Sequence, residues 1–304
     1  MNSLDDYKTV LIIGNGFDLN LNYPTSYSDF MESSNFKSLI SESNNILAKY
    51  LEFRMKDNGD NWIDIENELG KYAYILRTSA SIAFEMPQVI MRDNHASHIQ
   101  NSFRSEYTQL CAALKDYLRK YDELEKHDES IYKSNSFAFI KKILYEQSSC
   151  YVVNFNYTSF VEKVINEVNV NYTDFCIRQI HGSLKDDIVF GVQDNMELQR
   201  EHVFLYKSYN KCQDVRELPQ ILDNADKIIF FGYSLGETDH SYFDDFFNSQ
   251  TIKSCQKKKF VFYHYGQTAY DDIIWQLRTL TKNRTSYLNQ YNDIEFVDNS
   301  KALE

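Results

Sequence analysis

Apolar residues first gather at Thr9-Val10-Leu11-Ile12-Ile13, a short run without strict alternation that ends in Gly14-Asn15-Gly16. Such a run predicts a strand buried on both faces, and the glycines predict a tight turn at its exit. Beyond Pro24, Thr25 or Ser26 is placed to cap a new helix, so strand, glycine turn and helix follow one another. From Met31 to Ser148 the pattern changes: it holds no convincing strand, and helical spacing runs over Phe36 to Met55, Trp62 to Leu76, His95 to Lys126 and Tyr132 to Leu144. The remainder alternates strand-like runs with amphipathic stretches. Strands are predicted at Tyr151 to Phe155, Phe175 to Ile180, Ile188 to Gly191, Lys227 to Phe231, Lys259 to His264 and Ile294 to Val297. Helical stretches are predicted over Ser159 to Val168, His240 to Phe247 and Tyr270 to Thr281. This is an α/β pattern around a mainly parallel sheet, formed by residues 1–30 and 149–304, with residues 31–148 as a large all-helical insertion.

Composition narrows the classes. A chain of 304 residues with 43% apolar and 25% charged residues is that of a folded globular protein of one or two domains. The formal net charge of −12 repels nucleic acid, and the longest basic run, Lys257-Lys258-Lys259, reads as a solvated strand start. Nucleic acid is therefore not an expected partner. The five cysteines are widely spaced and form no pair with zinc-ligand spacing, so no metal is expected and a reducing compartment fits. No stretch has the roughly 18 to 20 apolar residues of a membrane span, and Met1 to Lys8 is acidic and polar, so a cytoplasmic location is expected. The 23 tyrosines and 21 phenylalanines suffice for core and interface packing, which leaves homo-oligomerisation open.

Ligands of open α/β sheets bind beyond the carboxyl ends of the strands, where glycine turns and helix N-termini converge. Gly14-Asn15-Gly16-Phe17-Asp18 has glycines that let the backbone approach a phosphate. It lacks the third glycine of the dinucleotide fingerprint and any phosphate-loop lysine, and a plain strand-exit turn explains it equally well. In Val153-Asn154-Phe155-Asn156-Tyr157-Thr158, Asn154 and Asn156 point the same way if the extended chain continues. Side by side they are placed to grip ribose hydroxyls, or else to cap the helix starting near Ser159. His181-Gly182 puts an imidazole at a strand end, either structural or placed to orient a sugar or act as a base. Phe231-Gly232-Tyr233-Ser234-Leu235-Gly236-Glu237-Thr238-Asp239-His240 offers Asp239 and His240 as polar ligands, with helix capping by Thr238 or Asp239 as the alternative. Finally, Trp62, Ile65, Leu69, Ala73 and Leu76 form an apolar stripe; at about 100° per residue Glu66 lies roughly 40° from Trp62 and borders the buried side. Glu66 is then either a desolvated carboxylate or one paired with a buried cation, and Asp64 suits a helix N-terminus.

In order along the chain, Ile13 to Asp18, Pro24 to Tyr27, Trp62 to Glu66, Asn154 to Thr158, His181-Gly182 and Phe231 to His240 resemble the abortive-infection AbiH family. That resemblance implies a bacterial defence role against phage, with a phage trigger or partner protein. The family in turn resembles sirtuin-like domains, whose Rossmann-like sheet surrounds NAD. By that comparison Asn156 positions the nicotinamide ribose and its attacking water, and His181 stands for the sirtuin histidine. Gly14, Gly16 and Phe17 line the phosphate and adenosine side, with Asn15, Asp18, Thr25 and Asn154 in the same cofactor-binding set; Gly232, Tyr233 and Ser234 form the other wall. Thr158 stands where the sirtuin-like motif carries an aspartate, and no four-cysteine zinc ribbon is present, which argues against lysine deacylation. The leading expectation is hydrolysis of NAD to nicotinamide and ADP-ribose by Asn156 and His181, with Glu66, Asp239 and His240 contributing. The alternatives are a non-enzymatic NAD or nucleotide sensor acting through a partner, and a metal-dependent nuclease-type toxin.

Overall fold

The computed structural model describes residues 4–57, 64–123, 129–147, 149–168, 174–210 and 215–303. It divides into two compact units: Met1–Tyr23, Leu124–Ser183 and Asp214–Glu304 form one, and Pro24–Glu123 with Leu184–Gln213 the other.

The first unit is built on six strands: β1 (Thr9–Ile13), β2 (Ser149–Asn154), β3 (Asp174–Gln179), β4 (Lys227–Phe231), β5 (Lys259–His264) and β6 (Asp293–Asp298). All pair in parallel in the order β3-β2-β1-β4-β5-β6. The α/β fold read from the sequence is thus observed. The central strands are continuous apolar runs because a parallel sheet is covered on both faces: every residue of β1 is buried, with Ile12 opposite Val153 and Phe230. On one face Val10, Ile12, Val153, Ile228, Phe230, Phe260 and Phe262 join Ile221, Phe247, Ile273 and Leu277 from the covering helices. Each such side chain, fully buried, contributes about 1.5–3 kcal/mol. The edge strands β3 and β6 carry Asp174, Arg178, Asp293, Glu295 and Asp298 and are only partly covered. The connections run outward from β1 to β2 and β3 on one side and from β4 to β5 and β6 on the other. The strand order therefore reverses between β1 and β4, and the crevice at their carboxyl ends is where such sheets bind ligands.

In the second unit the predicted helix over Phe36 to Met55 is two, Ser34–Ser41 and Ile46–Asp57. The break falls where Asn44 takes φ 50° and the Asn45 side chain accepts from Ala48 N at 2.8 Å, a local bond that competes with helix continuation. Ser26 caps Tyr27–Glu32 in a capping box with Asp29, and Asp64 caps Ile65–Ile75. Trp62, which opened the predicted stripe, lies outside the described residues. The long helix is observed as Ala96–Asp122, and the short helices Ser79–Glu85 and Gln88–Met91 carry no signal in the apolar spacing.

Two expectations are corrected. Ile188 to Gly191 is not a strand: its apolar residues are buried in irregular chain, where Tyr107 donates to Phe190 O and Gly191 N donates to Glu66. Side chains, not a neighbouring strand, satisfy that backbone. The predicted helix over His240 to Phe247 is a 3-10 segment, Glu237–Tyr242, followed by a short helix, Asp244–Ser249.

Gly232 and Gly266 both adopt left-handed backbone, φ 62° and 69°, but in different surroundings. A Cβ on Gly232 would overlap Phe17 N and lie 2.6 Å from Gly16 C, whereas one on Gly266 meets nothing within 4 Å. Gly266→Ala is expected to lose about 1–2 kcal/mol from strain alone, and Gly232→Ala about 3 kcal/mol or more. Urea unfolding checks this; equal losses would contradict the close approach of the two backbones.

Candidate functional site

The loops leaving β1 and β4 meet back to back. Gly14 N donates to Phe231 O at 3.1 Å and Gly16 N to Gly232 O at 2.8 Å, while Phe17 N closes a turn onto Gly14 O at 2.9 Å. A Cβ on Gly14 would come within 2.6 Å of Gly232 O, and one on Gly16 within 2.6 Å of Gly232 Cα. Glycine is thus required here so that two protein backbones can touch. The amides of Gly14, Gly16 and Phe17 are bonded within the protein, so a phosphate at this turn must be held by other donors.

Beside the turn lies a buried polar cluster around Asp18, only 1% exposed. Its carboxylate accepts from Asn156 Nδ2 at 2.9 Å and from Thr158 Oγ1 at 2.5 Å. Asn156 Nδ2 also donates to Gly14 O at 3.1 Å, and Asn156 N donates to Asn154 Oδ1 at 3.0 Å. Asn154 therefore shapes the loop. Gln179, at the end of β3 and not singled out by its sequence context, donates through Nε2 to the carbonyls of Asn156, Tyr157 and Thr158 at 3.1, 3.3 and 3.0 Å. This fan of bonds holds the segment that carries Asn156.

A second cluster centres on His181, 5% exposed. His181 Nε2 lies 3.2 Å from Asp239 Oδ1 and 3.3 Å from Tyr242 OH, and Tyr233 OH donates to Asp239 Oδ2 at 3.0 Å. A carboxylate facing Nε2 selects the tautomer with the proton there, leaving Nδ1 as the basic nitrogen. Phe155 meets the imidazole edge to face at 5.2 Å, so Asn154 to Thr158 touches both clusters, with Asn156 toward Asp18 and Phe155 toward His181. His240 serves differently: its Nε2 faces Leu235 O at 3.1 Å and Gln276 Oε1 at 2.8 Å. Leu235 is buried with φ 55°, a conformation that leucine adopts only under constraint, and His240 helps supply it. Ser234 is exposed on the same loop, and Asn15 precedes the one-turn helix Gly16–Asn20 without a side-chain cap.

Thr25 and Glu66 belong to the second unit. Thr25 is buried just ahead of the Ser26 capping box. Glu66 Oε2 lies 2.9 Å from Lys207 Nζ with both side chains almost fully buried, and Glu66 Oε1 accepts from Gly191 N at 3.4 Å. Of the two surroundings weighed for Glu66, the buried cation is present. Among the described residues, no group of three or more His, Cys, Asp or Glu is arranged to hold a metal ion, and no helix is long and apolar enough to cross a membrane.

A family model described as bacteriophage abortive infection AbiH matches residues 10–264, a span that holds both clusters. No curated protein matches the chain.

Because Glu66 and Lys207 are buried as a pair, removing one charge strands the other. Glu66→Gln is expected to destabilise the protein by about 3–5 kcal/mol, and adding Lys207→Met to recover much of that loss. Denaturant midpoints of the single and double variants decide the matter, and an unchanged midpoint in Glu66→Gln would contradict a structural pair.

Proposed function

The chain belongs to the AbiH family of bacteriophage abortive-infection proteins, and from that membership and the crevice geometry we propose that it hydrolyses NAD to nicotinamide and ADP-ribose, depleting an infected cell of cofactor. The observation that carries this reading is the placement of two preset polar groups at the carboxyl edge of the sheet: the His181–Asp239 pair and an Asn156 amide fixed by Asp18.

The residues present fit a nucleotide sugar. Asn156 Oδ1 has no protein partner among the described residues and is an acceptor for a ribose hydroxyl or a water. Phe155, Tyr157 and Tyr242 give the imidazole aromatic surroundings. Bound NAD supplies a leaving group that departs as neutral nicotinamide with the bonding electron pair, while positive charge develops on the ribose. Asn156 Oδ1 orients the incoming water, whose proton passes to His181 Nδ1 as its oxygen bonds to the sugar carbon. Asp239 holds the imidazole and stabilises the imidazolium so formed, as a buried carboxylate at hydrogen-bond distance does. The overall balance is NAD plus water to nicotinamide, ADP-ribose and a proton.

Purified protein, with and without extract of phage-infected cells, is expected to release nicotinamide and ADP-ribose from NAD when products are followed by chromatography. His181→Ala and Asn156→Ala are each expected to lower turnover by about 100-fold or more, read on protein that circular dichroism shows to be folded. Stabilisation by NAD without product would reject hydrolysis and leave a nucleotide sensor; undiminished turnover in folded variants would reject the residue roles.

A further inference from the structure

Asn156 has a side chain with two different ends, one that donates and one that accepts, and a ligand reads whichever end faces it. Here the choice is made by the surroundings. Asp18 is buried and accepts from Asn156 Nδ2 at 2.9 Å; Gly14 O, a carbonyl that can only accept, takes a second bond from the same nitrogen at 3.1 Å. A flipped amide would set Oδ1 against a carboxylate and a carbonyl, acceptor against acceptor, and would take one donor away from each, a loss that buried acceptors resist. The carboxylate is itself held, since Thr158 Oγ1 donates to its other oxygen at 2.5 Å. The fixed orientation turns Oδ1 away from Asp18.

We infer that Asp18 is the positioning residue of this crevice: by holding the NH2 of Asn156 it presents a carbonyl oxygen to the ligand, so the site selects a ribose that offers a hydroxyl there and disfavours the deoxy sugar. This rests on the reading proposed above, and deepens it by naming the group on the ligand that the site recognises. Asp18 and Asn156 are 138 residues apart in the chain, so the contact joins the exit of β1 to the exit of β2.

The test is a cycle between residue 18 and the ligand. Binding of ADP-ribose, and of analogues lacking the 2- or the 3-hydroxyl of its terminal ribose, is measured by calorimetry for the natural protein and for Asp18→Asn, with NAD turnover read alongside. With an amide at position 18 the Asn156 amide is held one way by Gly14 O alone. Affinity for ADP-ribose is expected to fall about tenfold, the scale of one lost hydrogen bond. Toward one of the two analogues the same substitution is expected to change affinity by less than about twofold, because the group it acts on is gone. An equal loss toward ADP-ribose and both analogues would overturn the inference and leave Asp18 a structural residue. Should Asp18→Asn not fold, Thr158→Val takes its place, since it removes the hydroxyl that holds the Asp18 carboxylate. That protein is expected to lose affinity for ADP-ribose but not for the analogue that lacks the recognised hydroxyl, and an equal loss toward ADP-ribose and both analogues in a folded variant would likewise overturn the inference. Natural protein that binds ADP-ribose but leaves NAD intact counts against hydrolysis and not against Asp18; failure to bind ADP-ribose at all overturns both.

Discussion

The backbones leaving β1 and β4 touch with no side chain between them, and the arrangement of the site depends on that contact. Gly14, Gly16 and Gly232 interlock so closely that a methyl group on any of them meets backbone atoms of the facing loop. The hydrogen bonds Gly14 N to Phe231 O and Gly16 N to Gly232 O then extend the pairing of the strands past their ends. Because the strand order reverses between these same strands, the contact lies where open parallel sheets form their binding crevice, and what diverges from it on either side is placed as its walls. One wall is the turn that leads to Asp18. The other is the loop that carries Tyr233 and Asp239.

Each wall supplies a buried carboxylate whose work is to orient a different polar group. Asp18 faces the amide of Asn156, and Asp239 faces the imidazole of His181. Asn156 and His181 come from the exits of β2 and β3, so the sheet's order brings four strand ends into one polar edge. Neither carboxylate is exposed, and each also accepts from a neighbouring hydroxyl: Thr158 for Asp18 and Tyr233 for Asp239. Buried polar networks of this kind are rigid when fully satisfied, which suits groups that must meet a ligand in one orientation.

The sheet was legible because strands buried on both faces are written as unbroken apolar runs, and β1, β4 and β5 are such runs ended by polar or glycine-rich turns. The same rule failed at Ile188 to Gly191, where an apolar run is buried by side chains and its backbone is bonded by Tyr107 and Glu66. Apolar spacing also ran through Asn44, because one residue in left-handed backbone interrupts a helix without interrupting its periodicity. Of the site, the sequence showed which segments end strands but not which side chains meet. Nothing in Gly14 to Asp18 announces that its aspartate faces Asn156, nothing near His240 announces Gln276, and Lys207, the buried cation opposite Glu66, sits in a stretch with no periodic signal. Those pairings are set by strand order, which local patterns do not encode.

The central claim is that this edge of the sheet holds a ribose, and the most direct measurement is a crystal structure of the protein with ADP-ribose at saturating concentration. The account predicts the terminal ribose over the exits of β2 and β3, with one hydroxyl within hydrogen-bond distance of Asn156 Oδ1 and the sugar carbon facing His181 Nδ1. ADP-ribose ordered elsewhere on the molecule, or an edge left to solvent at saturation, would contradict it.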